Sequence, residues 1–98
     1  MKPSNDREAI TLIVDGLLEK GVTLRYVDDT MENVPVSETI DAVGAITAVD
    51  EAVLYVTLPN GKGSHIFFVL GNSPEEVACD YGVSLSDYIE PIVNPWWE

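Results

Sequence analysis

The chain has 98 residues and carries 5 Lys and Arg against 17 Asp and Glu, a formal charge of −12 with its single His neutral. That balance excludes a protein that grips nucleic acid by neutralising phosphates. Hydrophobic residues make up 46% and charged residues 22%, which excludes a disordered acidic tail and predicts one globular domain over residues 1–98.

The first element is an amphipathic helix. Ile10, Ile13, Val14, Leu17 and Leu18 repeat at helical spacing on one face, with Glu8, Thr11, Asp15 and Glu19 on the other. Ser4 or Asn5 can cap its start, and Gly21 can end it. Val22, Leu24 and Tyr26 then alternate with Thr23 and Arg25 as a half-buried strand. Residues 28–37, polar and carrying Pro35, read as a loop. Residues 38–43 fit either a helical turn capped by Ser37 or a short strand.

From Gly44 onward, β-branched residues predict strands at Ile46 to Val49, Val53 to Leu58 and Ser64 to Leu70. Asn60-Gly61 signals a hairpin. With a two-residue loop, Tyr55 would face Ile66, Leu54 would face Phe67, Val56 would face His65 and Val53 would face Phe68. Both faces of that hairpin are then apolar, and a sheet that is apolar on both sides needs cover on both, from helices, the long loop or a second copy of the chain.

Ser73-Pro74-Glu75-Glu76 is a helix-start signal, with Ser73 as cap, Pro74 at the first position and Glu76 completing a capping box. Gly82 would end that helix in the left-handed conformation. A last helix begins near Ser84 or Ser86, with Leu85, Tyr88, Ile89, Ile92 and Val93 on one face, and Pro91 should end or kink it near Glu90. The expected fold is α+β, an antiparallel sheet of three to four strands with an N-terminal amphipathic helix and two short C-terminal helices.

A single cysteine, Cys79, cannot form an intrachain disulfide. The polar start Met1 to Glu8 has no signal-peptide character, and the longest apolar run, Ile66 to Leu70, is far short of the roughly 18 residues of a membrane span. A cytoplasmic protein without membrane contact is the simplest expectation.

Charge is unevenly placed. Residues 1–25 hold four acids and four bases, so the whole net charge falls after Arg25, where thirteen carboxylates stand against Lys62 alone. Such a surplus cannot be neutralised internally, and its field attracts cationic partners. Solubility is the plain alternative explanation.

Catalytic chemistry is thinly represented. His65 sits mid-strand and reads as a strand residue, and Cys79 lies among Glu75, Glu76 and Asp80, whose charges disfavour a reactive thiolate. Nothing sets the environments of the pairs Asp28-Asp29, Asp50-Glu51 and Glu75-Glu76 apart, as acid and base work requires. Asp28, Thr30 and Glu32 alternate like calcium ligands but lack the turn glycine and the twelfth-position Glu. Asn60-Gly61-Lys62-Gly63 belongs to a hairpin and is not a phosphate loop. No catalytic, cofactor or metal site is therefore expected.

The end of the chain carries Trp96 and Trp97, which either fold back over the sheet or anchor a partner. The sequence thus points to a small non-enzymatic binding or regulatory protein that meets a basic protein partner. Glu75, Glu76, Asp80, Asp87, Glu90, Trp96 and Trp97 are its candidate contact residues, and direct nucleic-acid binding is not expected. A sharper version is a nucleic-acid mimic that inhibits a DNA- or RNA-handling protein. The alternative is a structural or oligomeric domain, such as a homodimer, whose acidity serves only solubility.

Overall fold

A computed structural model of the chain describes residues 2–27, 33–36, 38–48, 51–71 and 73–97. Helix α1 (Asp6–Glu19) leads into β1 (Thr23–Val27) and β2 (Asn33–Pro35), and α2 (Thr39–Thr47) into β3 (Glu51–Thr57) and β4 (Gly63–Val69). A 3-10 turn (Pro74–Glu76) precedes β5 (Ala78–Tyr81), and a second one (Val83–Leu85) opens α3 (Ser86–Val93). A third 3-10 segment (Asn94–Trp97) follows α3. The strands make one antiparallel five-stranded sheet in the order β2-β1-β3-β4-β5. The α+β class with an antiparallel sheet and a leading helix is as expected, while strand number and helix placement differ.

Local chemistry sets the ends of α1. Asn5 Oδ1 accepts from the Glu8 N–H at 2.8 Å, and Glu8 Oε1 in turn accepts from the Ser4 N–H at 3.1 Å. At the other end Gly21 takes φ +81°, and the Val22 and Gly21 N–H groups reach back to the carbonyls of Leu17 and Leu18, both at 3.1 Å. Only glycine enters that left-handed position without strain, so two otherwise orphaned carbonyls are satisfied. Ala9, Ile10, Ile13, Val14 and Leu17 are buried, and Leu18 packs at their margin.

The hairpin departs from the expected register by one residue. Its loop has three residues: the Leu58 N–H bonds the Lys62 carbonyl at 2.8 Å, and Gly61 sits at φ +88°. Leu54 therefore pairs with Ile66, Tyr55 with His65 and Val53 with Phe67. Because side chains alternate, this shift moves every β4 residue to the opposite face from the two-residue-loop register. Ile66 and Phe68, both fully buried, join Leu24, Leu54 and Val56 on the inner face, and Phe67 turns outward. A larger buried set selects the longer loop.

Three further elements are corrected. Residues 39–47 form α2, taking in Ile46 and Thr47 that read as strand, because Ala42, Val43 and Ile46 bury one helical stripe against α1. The expected helix after Ser73 is only one 3-10 turn, with no side-chain cap from Ser73, and residues 78–81 are strand β5. Cys79, Asp80 and Tyr81 are weak helix formers, and pairing to β4 satisfies that strand's otherwise open edge. Gly82 has φ −66°, not a left-handed cap.

Pro91 does not end α3, which runs through it to Val93. Leu85, Ile89, Val93 and Trp96 recur at i, i+4, i+8 and i+11, and all four are buried. Burial of such side chains at about 1.5–3 kcal/mol each outweighs the roughly 3 kcal/mol of an interior proline. Gly16 lets α3 approach α1: a Cβ there would lie 2.5 Å from Ile92 Cδ1. Lys20 Nζ donates to the Tyr88 carbonyl at 2.7 Å, joining the end of α1 to α3. The expected loop over 28–37 also contains β2, and Asp28, Asp29, Thr30, Glu32, Ser37 and Asp50 lie outside the described residues.

The buried side chains form one cluster between the inner face of the sheet and the three helices. The outer face has no such cover among the described residues. Of the cover expected on both faces, the described residues supply that of the inner face, from the helices.

Candidate functional site: an acidic corner beside strand β5

The 3-10 turn, β5 and the end of α3 together frame a depression of about 450 Å³ lined by Glu75, Glu76, Ala78, Cys79, Tyr81, Val93 and Asn94. Each wall has a local cause. Pro74 starts the turn that presents Glu75 and Glu76, and buried Val77 pins the following chain to β4, its carbonyl accepting from the Val69 N–H at 3.0 Å. A bulge follows. Phe67 pairs with Asp80 and Phe68 with Ala78, which leaves Cys79 as the extra, exposed residue. Asp6 Oδ2 accepts from the Gly71 N–H at 3.1 Å and ties the β4 exit to the start of α1.

Electrostatically the corner is negative. No charged side chain is buried among the described residues, so their carboxylates meet solvent. Lys2 Nζ stands 4.0 Å from Glu75 Oε1; Lys2 is 58% exposed, so the pair does little to cancel the local field. Burial raises the Tyr81 phenol pKa above its ordinary value, and the nearby Glu90 carboxylate raises it further.

That coupling has a measurable sign. The folded state favours the neutral phenol, so this contribution to stability is complete below the ordinary phenol pKa and is lost as pH rises through the raised one. In an alkaline absorbance titration, Tyr81→Phe should remove a late-titrating phenolate, and Glu90→Gln should bring that component earlier. If Glu90→Gln leaves the curve unchanged, Glu90 does not act on this phenol.

The sequence-derived candidates separate in space. Glu75 and Glu76 line the depression and Glu90 acts on its Tyr81 wall. Asp80 is exposed on the outer sheet face opposite Phe67, and its Oδ1 accepts from the Tyr81 N–H at 2.9 Å. Asp87 lies exposed in the first turn of α3. Trp96 is only 3% exposed and belongs to the core, which is the fold-back arrangement; Trp97 lies in the last 3-10 segment.

His65 is exposed on β4 opposite Tyr55, while Cys79 lines the depression. Tyr81 and Asn94, unremarked in the sequence, join the corner only because β5 is a strand and α3 continues past Pro91. Among the described residues no three His, Cys, Asp or Glu side chains gather as metal ligands would, and no helix is long and apolar enough to cross a membrane. A second depression, between α1 and α2, is lined by Arg7, Thr11, Asp15, Thr39, Ile40 and Val43, and Thr39 Oγ1 donates to the Asp15 carboxylate beside it.

No family model matches the chain, and neither does any curated protein or solved structure. The functional reading therefore rests on the geometry and charge of the corner.

Proposed function

We propose that this chain is a small, acidic, non-enzymatic binding protein whose corner at Glu75, Glu76 and Glu90 receives a basic surface of a protein partner. The observation that carries the reading is a net charge of −12 whose described carboxylates all reach solvent, with Glu75 and Glu76 lining the depression beside β5 and Glu90 acting on its Tyr81 wall. A cationic side chain entering there would exchange water for two or three carboxylates and the Tyr81 ring. Long-range attraction by the remaining surplus would speed its approach.

The test compares two variants of nearly equal net charge using one probe, an arginine-rich peptide, titrated at low and at physiological salt. Replacing Glu75, Glu76 and Glu90 by Gln should weaken binding about tenfold, as expected from about 0.5 kcal/mol for each of three part-exposed pairs. Replacing Glu8 and Glu19 by Gln should change it much less, because Arg7 and Lys20 stand beside them in the chain. Binding should also weaken as salt rises. Equal losses in the two variants, or no salt dependence, would sink the reading. The nucleic-acid-mimic version requires in addition that a natural basic partner release the chain when duplex DNA or RNA is added.

A further inference from the structure

On the reading of the corner as a site for basic surfaces, we propose that Lys2 is its internal competitor. The Lys2 ammonium occupies the Glu75 carboxylate that a partner's cationic side chain must take, so binding requires Lys2 to let go. A cation of the chain's own already stands at this wall, Lys2 Nζ at 4.0 Å from Glu75 Oε1.

The backbone that delivers Lys2 is fixed by contacts in which its side chain has no part. Pro3 is buried, and its ring holds φ near one value, so the chain leaves Lys2 along a set course. The Ser4 N–H donates to Glu8 Oε1 at 3.1 Å, and Asn5 Oδ1 accepts from the Glu8 N–H at 2.8 Å. Asp6 Oδ2 accepts from the Gly71 N–H at 3.1 Å, and α1 packs against the 3-10 turn that carries Glu75. With the anchor points ordered in advance, the ammonium meets Glu75 as an intramolecular ligand, at an effective concentration set by one side chain's reach.

The two ends of the pair are unequal. The Glu75 side chain is 19% exposed and forms part of the wall of the depression, whereas Lys2 is 58% exposed and does not line it. A departing ammonium on a flexible stem is rehydrated, so an exposed pair of this kind breaks readily. It is too weak to close the corner, yet it weakens any ligand: the apparent dissociation constant rises by the reciprocal of the fraction of molecules in which Lys2 is away. An arginine is well suited to displace it, because the planar guanidinium can bind a carboxylate through two parallel hydrogen bonds, which the ammonium cannot match. Acetylation of the Lys2 amine removes its charge and opens the corner, while methylation keeps the charge and leaves the competitor in place.

Titration of the full chain with the arginine-rich peptide tests this. Lys2→Gln should tighten binding about twofold to fivefold at low salt, the effect of releasing one exposed pair. The gain should narrow as salt rises, because salt also weakens the internal pair. Lys62→Gln makes the same change in net charge from the hairpin loop, at the end of β4 away from the Phe68–Ala78 pairing beside the corner, and should tighten binding clearly less. Lys2→Arg keeps the charge and should bind no more tightly than the parent. In a Glu75→Gln background Lys2→Gln should do no more than Lys62→Gln, since the carboxylate they compete for is gone.

Equal gains from Lys2→Gln and Lys62→Gln, or an undiminished Lys2→Gln gain in the Glu75→Gln background, would overturn the inference and reduce Lys2 to a contribution to the general field. The corner itself would stand in that case, provided that binding still depends on its carboxylates and on salt. Peptide binding indifferent to Glu75, Glu76 and Glu90 would instead remove the site and its competitor together.

Discussion

Trp96→Ala is expected to destabilise the protein by about 3–5 kcal/mol, the range for removing a buried aromatic side chain from a packed core. Trp96 is 3% exposed and completes the stripe that begins at Leu85, so the lost indole leaves a cavity lined by side chains that α3 and its neighbours hold in place. A domain of this size has about 5–15 kcal/mol to lose, and about 1 kcal/mol moves its melting temperature by about 4–8 °C. Thermal and urea unfolding should therefore show a melting temperature lower by well over about 10 °C, with a detectable unfolded population near body temperature. Trp96→Phe, which refills part of the volume, should lose clearly less. A Trp96→Ala protein within about 1 kcal/mol of the parent would show that the indole does not pack as described.

Gly82→Ala should also be costly, for a steric reason. Gly82 has φ −66°, a conformation open to any residue, so its backbone does not require glycine. An added Cβ would lie 2.1 Å from Ser64 Oγ but 3.4 Å from Ser64 Cβ. The clash is thus with one hydroxyl, and that hydroxyl is buried without a hydrogen-bond partner. Gly82→Ala alone should cost about 1–3 kcal/mol, as overpacking does. Ser64→Ala alone should be neutral or stabilising by up to about 1 kcal/mol, since an unsatisfied polar atom leaves the interior. The double variant should recover most of the loss, giving a coupling energy above about 1 kcal/mol in a double-mutant cycle on urea unfolding. Equal cost of Gly82→Ala in both backgrounds would show that the loss comes from the backbone and not from this contact.

The candidate site was legible in part. The carboxylate surplus after Arg25 follows from counting, but counting cannot tell that Glu75 and Glu76 share a depression while Asp80 faces the other side of the sheet. That division depends on residues 78–81 being a bulged strand, and the bulge has no sequence signal of its own. Trp96 was open between core and partner because a tryptophan near a chain end suits both. Only the helical continuation through Pro91 places it in the interior.

Residues close together in the chain specify those elements whose energetics are local. The apolar period of Ile10 to Leu17, the Asn5 cap and the left-handed Gly21 define α1; the alternation at Val22, Leu24 and Tyr26 defines β1; Asn60-Gly61 marks the hairpin. Tertiary structure decided the rest wherever two local solutions were close in energy. It chose the hairpin register because that register buries Ile66 and Phe68 together, made α2 of a β-branched stretch because Ala42, Val43 and Ile46 then meet α1, turned residues 78–81 into a strand because β4 had an open edge, and carried α3 past Pro91 because four side chains gain burial. For the register, α2 and α3 the apolar area removed from water by distant partners exceeds a local preference of about 1–3 kcal/mol, and for β5 the backbone pairing to β4 does the same; both exist only once the chain has folded.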